Sequence, residues 1–274
     1  MLALTACSST ASGTSSSSTA SASIDEVVLM DNADARVVVE DVTVMSDYYI
    51  NVKMSIQNKT KNTNLLAIPV GITTNGFSLD ASGVATLPPN ETYMINNYFG
   101  TSMIKTLGFE KAVKYSFAYA VYNSTSTTNP IATSDVYTYY PDGEDSYVET
   151  APVFPADMKT LIDDGNLKLT VLEVNDGADV LTDKTEPTIF FYAENKTGRK
   201  MIIHTSDMQG NMGLIELNTT DSSNALIGNA KKIISLSFDS EAEFSSFNTI
   251  TCNVYYEMGT TTSTPVPFAY TFTN

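Results

Sequence analysis

The sequence predicts an all-β protein in which one sandwich plan is used twice. Three observations carry that prediction. Apolar and polar residues alternate with period two from Ile24 onward, the pattern of strands with one buried face. Thr, Val, Ile, Tyr and Phe are abundant, with fifteen Tyr and twelve Phe, and these side chains suit a pleated, half-buried surface. Short motifs of the first half return in the second. Helical periodicity is nearly absent; Ala156–Ile162 is the stretch that reads as a turn or two of helix.

The elements follow in chain order. Residues 1–23 carry no charge, and Ser8 to Ser23 is a tract of Ser, Thr and Ala with a single Gly. Such a tract buries little and reads as a disordered tether. The first sandwich spans 24–140. Ile50, Val52, Met54 and Ile56 alternate with Asn51, Lys53, Ser55 and Gln57, and Tyr115, Phe117, Tyr119 and Val121 form a second such run. Turn chemistry separates the runs at Asn75-Gly76, Pro88-Pro89-Asn90 and Asn129-Pro130. Residues 141–155 read as an acidic, proline-containing linker whose prolines stiffen it. The second sandwich spans 156–274, with Asp164-Gly165 and Asp176-Gly177 as turns and Ile250, Cys252, Val254 and Tyr256 as an inward row.

The internal repeat is read from three matches. Leu29-Met30-Asp31-Asn32 and the strand after it match Leu161-Ile162-Asp163-Asp164 and its strand. Asn58-Lys59-Thr60 matches Asn195-Lys196-Thr197, each closing an alternating strand. Tyr137-Thr138-Tyr139 is aligned with Tyr270-Thr271-Phe272, and Met54 and Phe117 with Phe191 and Cys252. Each copy is the size of a common domain. Roughly seven or eight short strands per copy imply a two-sheet sandwich.

On the strand count, the strand-Asn-Lys-Thr turn and the Asn-Gly turn, each copy resembles the immunoglobulin-like extracytoplasmic domains of Gram-positive bacterial lipoproteins. No Cys-Trp-Cys core exists, so the antibody-type variant is excluded. Leu4-Thr5-Ala6-Cys7 resembles the lipobox of bacterial lipoproteins. That resemblance implies cleavage before Cys7 and a thioether-linked diacylglycerol, with a palmitate-type acyl anchor, on it. Six residues precede Cys7 and none is basic, so the signal peptide is expected to begin upstream.

Composition narrows the function. The formal net charge is −16, which opposes binding to nucleic acid or to an anionic membrane surface. Two Cys and one His supply neither a disulfide scaffold nor a multi-ligand zinc site. No run of about eighteen apolar residues reads as a membrane-spanning helix. His204 and Cys252 read as a sheet-face imidazole and a buried thiol rather than catalysts. No catalytic residue and no cofactor is assigned. Asp142, Glu144 and Asp145 are the weak calcium candidates, since calcium takes several carboxylate oxygens. The loops at one pole of each sandwich carry Asn58, Lys59, Thr60 and Asn123 in the first copy. In the second they carry Asn195, Lys196 and Thr197. Their Asn/Thr/Ser character makes them the candidate ligand-binding loops.

The expectation is therefore a non-enzymatic binding, adhesion or scaffolding module. It sits outside the cell membrane, lipid-anchored at Cys7, with a surface protein or glycan as ligand. Two alternatives stand beside it: an accessory protein-binding subunit of a transport or cell-wall complex, and a cell-wall polymer hydrolase. The oligomeric state stays open.

Overall fold

The computed structural model describes residues 21–22, 26–79, 83–154, 158–175, 188–210, 215–216, 218–219, 225–239 and 249–271. The first half holds β1 (Ser21–Ala22), β2 (Val27–Asp31), β3 (Ala35–Ser46), β4 (Tyr49–Asn58), β5 (Leu65–Thr74), β6 (Phe77–Ser78), β7 (Ala85–Leu87), β8 (Thr92–Gly100), β9 (Tyr115–Asn123), β10 (Ala132–Thr133) and β11 (Tyr137–Tyr139). The second holds β12 (Thr160–Asp163), β13 (Leu167–Asn175), β14 (Thr188–Asn195), β15 (Met201–Gly210), β16 (Ile215–Glu216), β17 (Asn218–Thr219), β18 (Ala225–Leu226), β19 (Lys231–Asp239), β20 (Thr249–Met258), β21 (Thr261–Thr262) and β22 (Val266–Thr271). Short 3-10 turns lie at Ser102–Leu107 and Glu144–Ser146.

These strands make three sheets. One runs β1-β3-β4-β8 with β2 also on β3. A central one runs β10-β9-β5-β6-β19-β14-β13-β12. The third runs β16-β15-β20-β21 with β22 on β20. Alternation explains the layers. Ile50, Val52, Met54 and Ile56 of β4 are buried against Leu65, Phe117 and Tyr119 of β5 and β9. Phe117 packs on Phe99 at 4.8 Å and Tyr137 at 5.4 Å between ring centroids. Burying one such ring stabilises by roughly 1.5–3 kcal/mol. In the second half Leu169, Phe191 and Ile234 face Ile203, Cys252, Val254 and Phe268.

The halves share their irregularities as well as their strands. On β2 an extra residue, Leu29, sits between the pairs Val28–Val38 and Met30–Val37. On β12 Leu161 sits between Thr160–Thr170 and Ile162–Leu169. Glu40 of β3 and Leu172 of β13 are extra in the same way. Gly71-Ile72 faces one residue of β9, and Asp207-Met208 faces one residue of β20. Gly71 has φ 61° and Asp207 φ 52°. The bulge needs left-handed backbone at that position, which Gly adopts freely and Asp tolerates through local hydrogen bonds.

The register corrects one alignment. Tyr139 pairs with Tyr115 and Tyr270 with Ile250. Tyr139 therefore corresponds to Tyr270, and Tyr137 to Phe268, two residues from the motif match. A slip of two keeps every side chain on its face, so alternation alone does not register it. The helical turn expected over Ala156–Ile162 is also corrected at its C-terminal end. Thr160–Asp163 is strand β12 on β13, where cross-strand partners outweigh a weak local pattern; residues 155–157 lie outside the described residues.

The two halves are joined laterally. Strand β6 runs parallel to β19, Phe77 beside Lys231 and Ser78 beside Lys232. The run Ile189-Phe190-Phe191-Tyr192-Ala193 of β14 is buried throughout. Its Phe191 faces the second core, while Phe190 and Tyr192 face the first. Phe154 meets Tyr192 at 5.0 Å and Phe77 meets Tyr192 at 6.2 Å. The segment leading to Phe154 is laid along the first half. Lys111 binds Asp142 at 2.7 Å, the Lys114 ammonium sits 5.1 Å from the Tyr147 ring, and the Val153 N–H donates to the Leu107 carbonyl.

Candidate functional site

The two Asn-Lys-Thr turns are the sharpest repeated feature, and each is built the same way. Asn58 ends β4 where the ladder with β3 stops. Its Nδ2 donates to the carbonyls of Thr63 and Leu87, both at 2.8 Å. Its Oδ1 accepts from the Thr60 N–H at 2.9 Å and the Thr60 hydroxyl at 2.7 Å. Asn195 ends β14 and repeats this: Nδ2 to the Arg199 and Ile227 carbonyls, Oδ1 from the Thr197 N–H and hydroxyl. Asn58 is 0% and Asn195 1% exposed. A buried amide must have partners, and these amides spend themselves on backbone from two neighbouring loops. The Asn58 and Asn195 side chains thus face inward as clasps, and their donors and acceptors do not meet solvent.

Lys59 and Lys196 complete each clasp. Lys59 binds the Asp31 carboxylate and the Asn32 carbonyl, and Lys196 binds Asp163 at 2.6 Å and the Asp164 carbonyl at 2.7 Å. The hydrogen bonds from these lysines hold the Asp31 and Asp163 carboxyls below the usual carboxylate value. Asn32 and Asp164 also correspond, each accepting from two backbone N–H groups two and three residues on. Burial pushes the Asp164 carboxyl up, but the Leu167 and Asn166 N–H groups, the Tyr256 hydroxyl and Lys196 bring it below its ordinary value.

The structure does bring the polar loops together. The Ser124 N–H donates to the Asn64 carbonyl at 3.0 Å, and Asn123 accepts from the Thr125 N–H and hydroxyl. In the second half Arg199 Nη2 donates to the Met258 carbonyl at 3.4 Å. Thr60 and Thr197 are half-buried; Lys196, Arg199 and Lys200 are exposed at this pole.

The remaining candidates are dispersed. Asp142 is engaged by Lys111, and Glu144 and Asp145 are exposed in a 3-10 turn. Among the described residues no three His, Cys, Asp or Glu gather as a metal-holding group. His204 stacks on Tyr255 at 5.2 Å, with Nε2 3.3 Å from Glu257. Its strand neighbour Ser206 donates instead to Asp207. Cys252 is buried and free, and burial pushes its thiol up to about 12; a thiol held neutral is not a nucleophile. Cys7 lies outside the described residues.

A cleft of about 530 Å³ opens where the halves meet, lined by Phe77, Phe109, Tyr147, Glu149 and Lys231 among others. Sequence reasoning missed this junction. The signal was present in the five consecutive apolar residues of β14, since a strand buried on both faces loses its alternation.

No family model and no curated protein sequence matches the chain. Among solved structures, a conserved domain protein from Bacillus anthracis aligns over 88% of this chain and 80% of its own, at 11% identity and TM-score 0.29. Red sea bream transglutaminase aligns over 77% of this chain and 27% of its own, at 10% identity and TM-score 0.21. Scores this low carry no functional argument, and the chain stands as an all-β protein of several sheets.

Proposed function

We propose that the chain is a non-enzymatic surface module made of two tandem immunoglobulin-like sandwiches, residues 24–140 and 156–274. The N-terminal tether, which ends where β1 joins β3, holds them off the membrane, and an acyl group on Cys7 anchors them. The module binds or scaffolds a surface protein or glycan. The observation that supports this reading is the central sheet that passes from one half to the other through β6 and β19. A continuous sheet makes the pair a stiff presenting unit.

The test is metabolic labelling with a clickable fatty acid in a bacterial host. The expected result is label on the full chain and its loss in Cys7→Ala, with the variant released to the medium. Label that survives Cys7→Ala, or an unlabelled wild-type chain, removes the anchor. Glycan arrays and pull-downs with the soluble 24–274 region then test the binding role.

A further inference from the structure

The cleft at the junction is built by both halves. Phe77 and Phe109 come from the first, Tyr147 and Glu149 from the segment between the halves, and Lys231 from the second. All of its lining residues are among the described ones. Its volume of about 530 Å³ lies in the range of small-ligand sites, which favour such junctions. Phe77 and Phe109, buried and edge to face at 5.8 Å, give it apolar lining together with the half-buried Tyr147.

The cleft is pre-formed. Asn75 Oδ1 accepts from the Val113 and Lys114 N–H groups at 2.8 and 3.2 Å, and its Nδ2 donates to the Lys111 carbonyl at 3.2 Å. These bonds fix the turn before Phe77 to the 111–114 loop. Lys111 in turn holds Asp142, and Lys114 lies over the Tyr147 ring. A ligand thus meets surfaces that are ordered before it arrives. The charges of the cleft, by contrast, are uncommitted. The ladder sets Lys168, Glu194 and Lys231 in a row across β13, β14 and β19, on the face that carries Tyr192. Lys168 lies over the Phe154 ring, and Glu194 accepts from the Tyr192 hydroxyl at 2.8 Å. The Lys231 ammonium and the Glu149 carboxylate have no hydrogen bond or ion pair among the described residues.

We propose that the cleft binds a zwitterion with an aromatic side chain, as a free α-amino acid or a short peptide with free ends. Its ring packs against Phe77, Phe109 and Tyr147, its carboxylate meets Lys231 and its ammonium meets Glu149. A ligand with one charge leaves the other lining charge without a counterpart, and an uncharged ligand leaves both. A multiply anionic ligand is opposed by Glu149 and by the net charge of −16. The proposal does not depend on the acyl anchor.

Equilibrium dialysis of the full chain against radiolabelled L-phenylalanine tests it, with the tripeptide Gly-Phe-Gly as the second arm. Saturable one-to-one binding is expected, and the tighter probe identifies the source. Phenethylamine, which lacks the carboxylate, and hydrocinnamate, which lacks the ammonium, are measured by competition. Lys231→Met is expected to weaken the zwitterion roughly tenfold and to leave phenethylamine unchanged. Glu149→Gln is expected to weaken the zwitterion as much and to leave hydrocinnamate unchanged. Both residues are exposed, and circular dichroism checks that each variant folds. No saturable binding of either zwitterion below about 1 mM overturns the proposal. So does binding that neither variant weakens. Equal weakening of every probe by one variant also overturns it, because that reports a change of shape rather than a lost charge.

Discussion

Replacing Asn58 with Ala tests whether the clasps hold the sandwich. The side chain is fully buried and makes four hydrogen bonds. Its removal strands the Leu87 carbonyl and the Thr60 N–H, while the Thr63 carbonyl keeps the Thr60 hydroxyl at 2.7 Å. The two backbone groups left unpaired, at roughly 1 kcal/mol or slightly more each, give a loss of about 2–3 kcal/mol. Urea unfolding measures it, followed by far-ultraviolet circular dichroism and Tyr fluorescence, because the chain has no Trp. The midpoint is expected to fall with the slope unchanged. Lys59→Ala removes the partly exposed ion pair with Asp31 and the bond to the Asn32 carbonyl, and serves as the mild comparison. A loss under about 1 kcal/mol in Asn58→Ala would refute the clasp, and the turn would return to consideration as a ligand loop.

Asn195→Ala is expected to cost about as much as Asn58→Ala, and the sheet shared through β6 and β19 predicts that both variants still unfold in one transition. Phe154→Ala removes the ring packed on Tyr192 and under Lys168. It is expected to cost about 2 kcal/mol and to split that transition in two; a single unchanged transition would show that the junction is not held there. Cys252 is expected to resist a thiol reagent until the chain unfolds. Its raised thiol contributes stability that is complete below pH 9 and lost as pH climbs toward about 12, at ~1.4 kcal/mol per unit. The alkaline limb of a stability–pH curve should therefore be shallower in Cys252→Ala. The lowered carboxyls of Asp31, Asp163 and Asp164 act in the opposite direction, their contribution complete above pH 3.8 and lost as pH falls below it. Acid titration in Lys59→Ala and Lys196→Ala should show a weaker loss than in the wild type.

Much of the fold is legible in the sequence because period-two alternation is a direct trace of a half-buried strand. Ile50 to Ile56 and Ile250 to Tyr256 show it plainly. The repeat is legible where side chains have fixed jobs, as in Asn58-Lys59-Thr60 and Asn195-Lys196-Thr197. The bulges at Leu29, Glu40 and Gly71 are not, because an extra residue leaves no mark in composition. The candidate site is harder still. Asn and Thr in a loop suit either a solvent-facing contact or a turn that satisfies its own backbone. Only the positions of the Thr63 and Leu87 carbonyls distinguish the two. The junction is hidden for another reason: Phe154, Phe77 and Tyr192 are far apart in sequence, and no local pattern connects them.

The paired bulge positions do not tolerate substitution in the same way. At Gly71 the backbone geometry is available without help, so neighbouring residues are at liberty to drift. At Asp207 the same geometry is occupied by a chiral residue whose carboxylate accepts from Asn253 at 2.8 Å. A change at either member leaves the other without its reason for being there. The two corresponding bulges thus differ in what a substitution disturbs: at Gly71 any side chain meets a strained φ of 61°, whereas at Asp207 the loss falls on a bond from the adjacent strand.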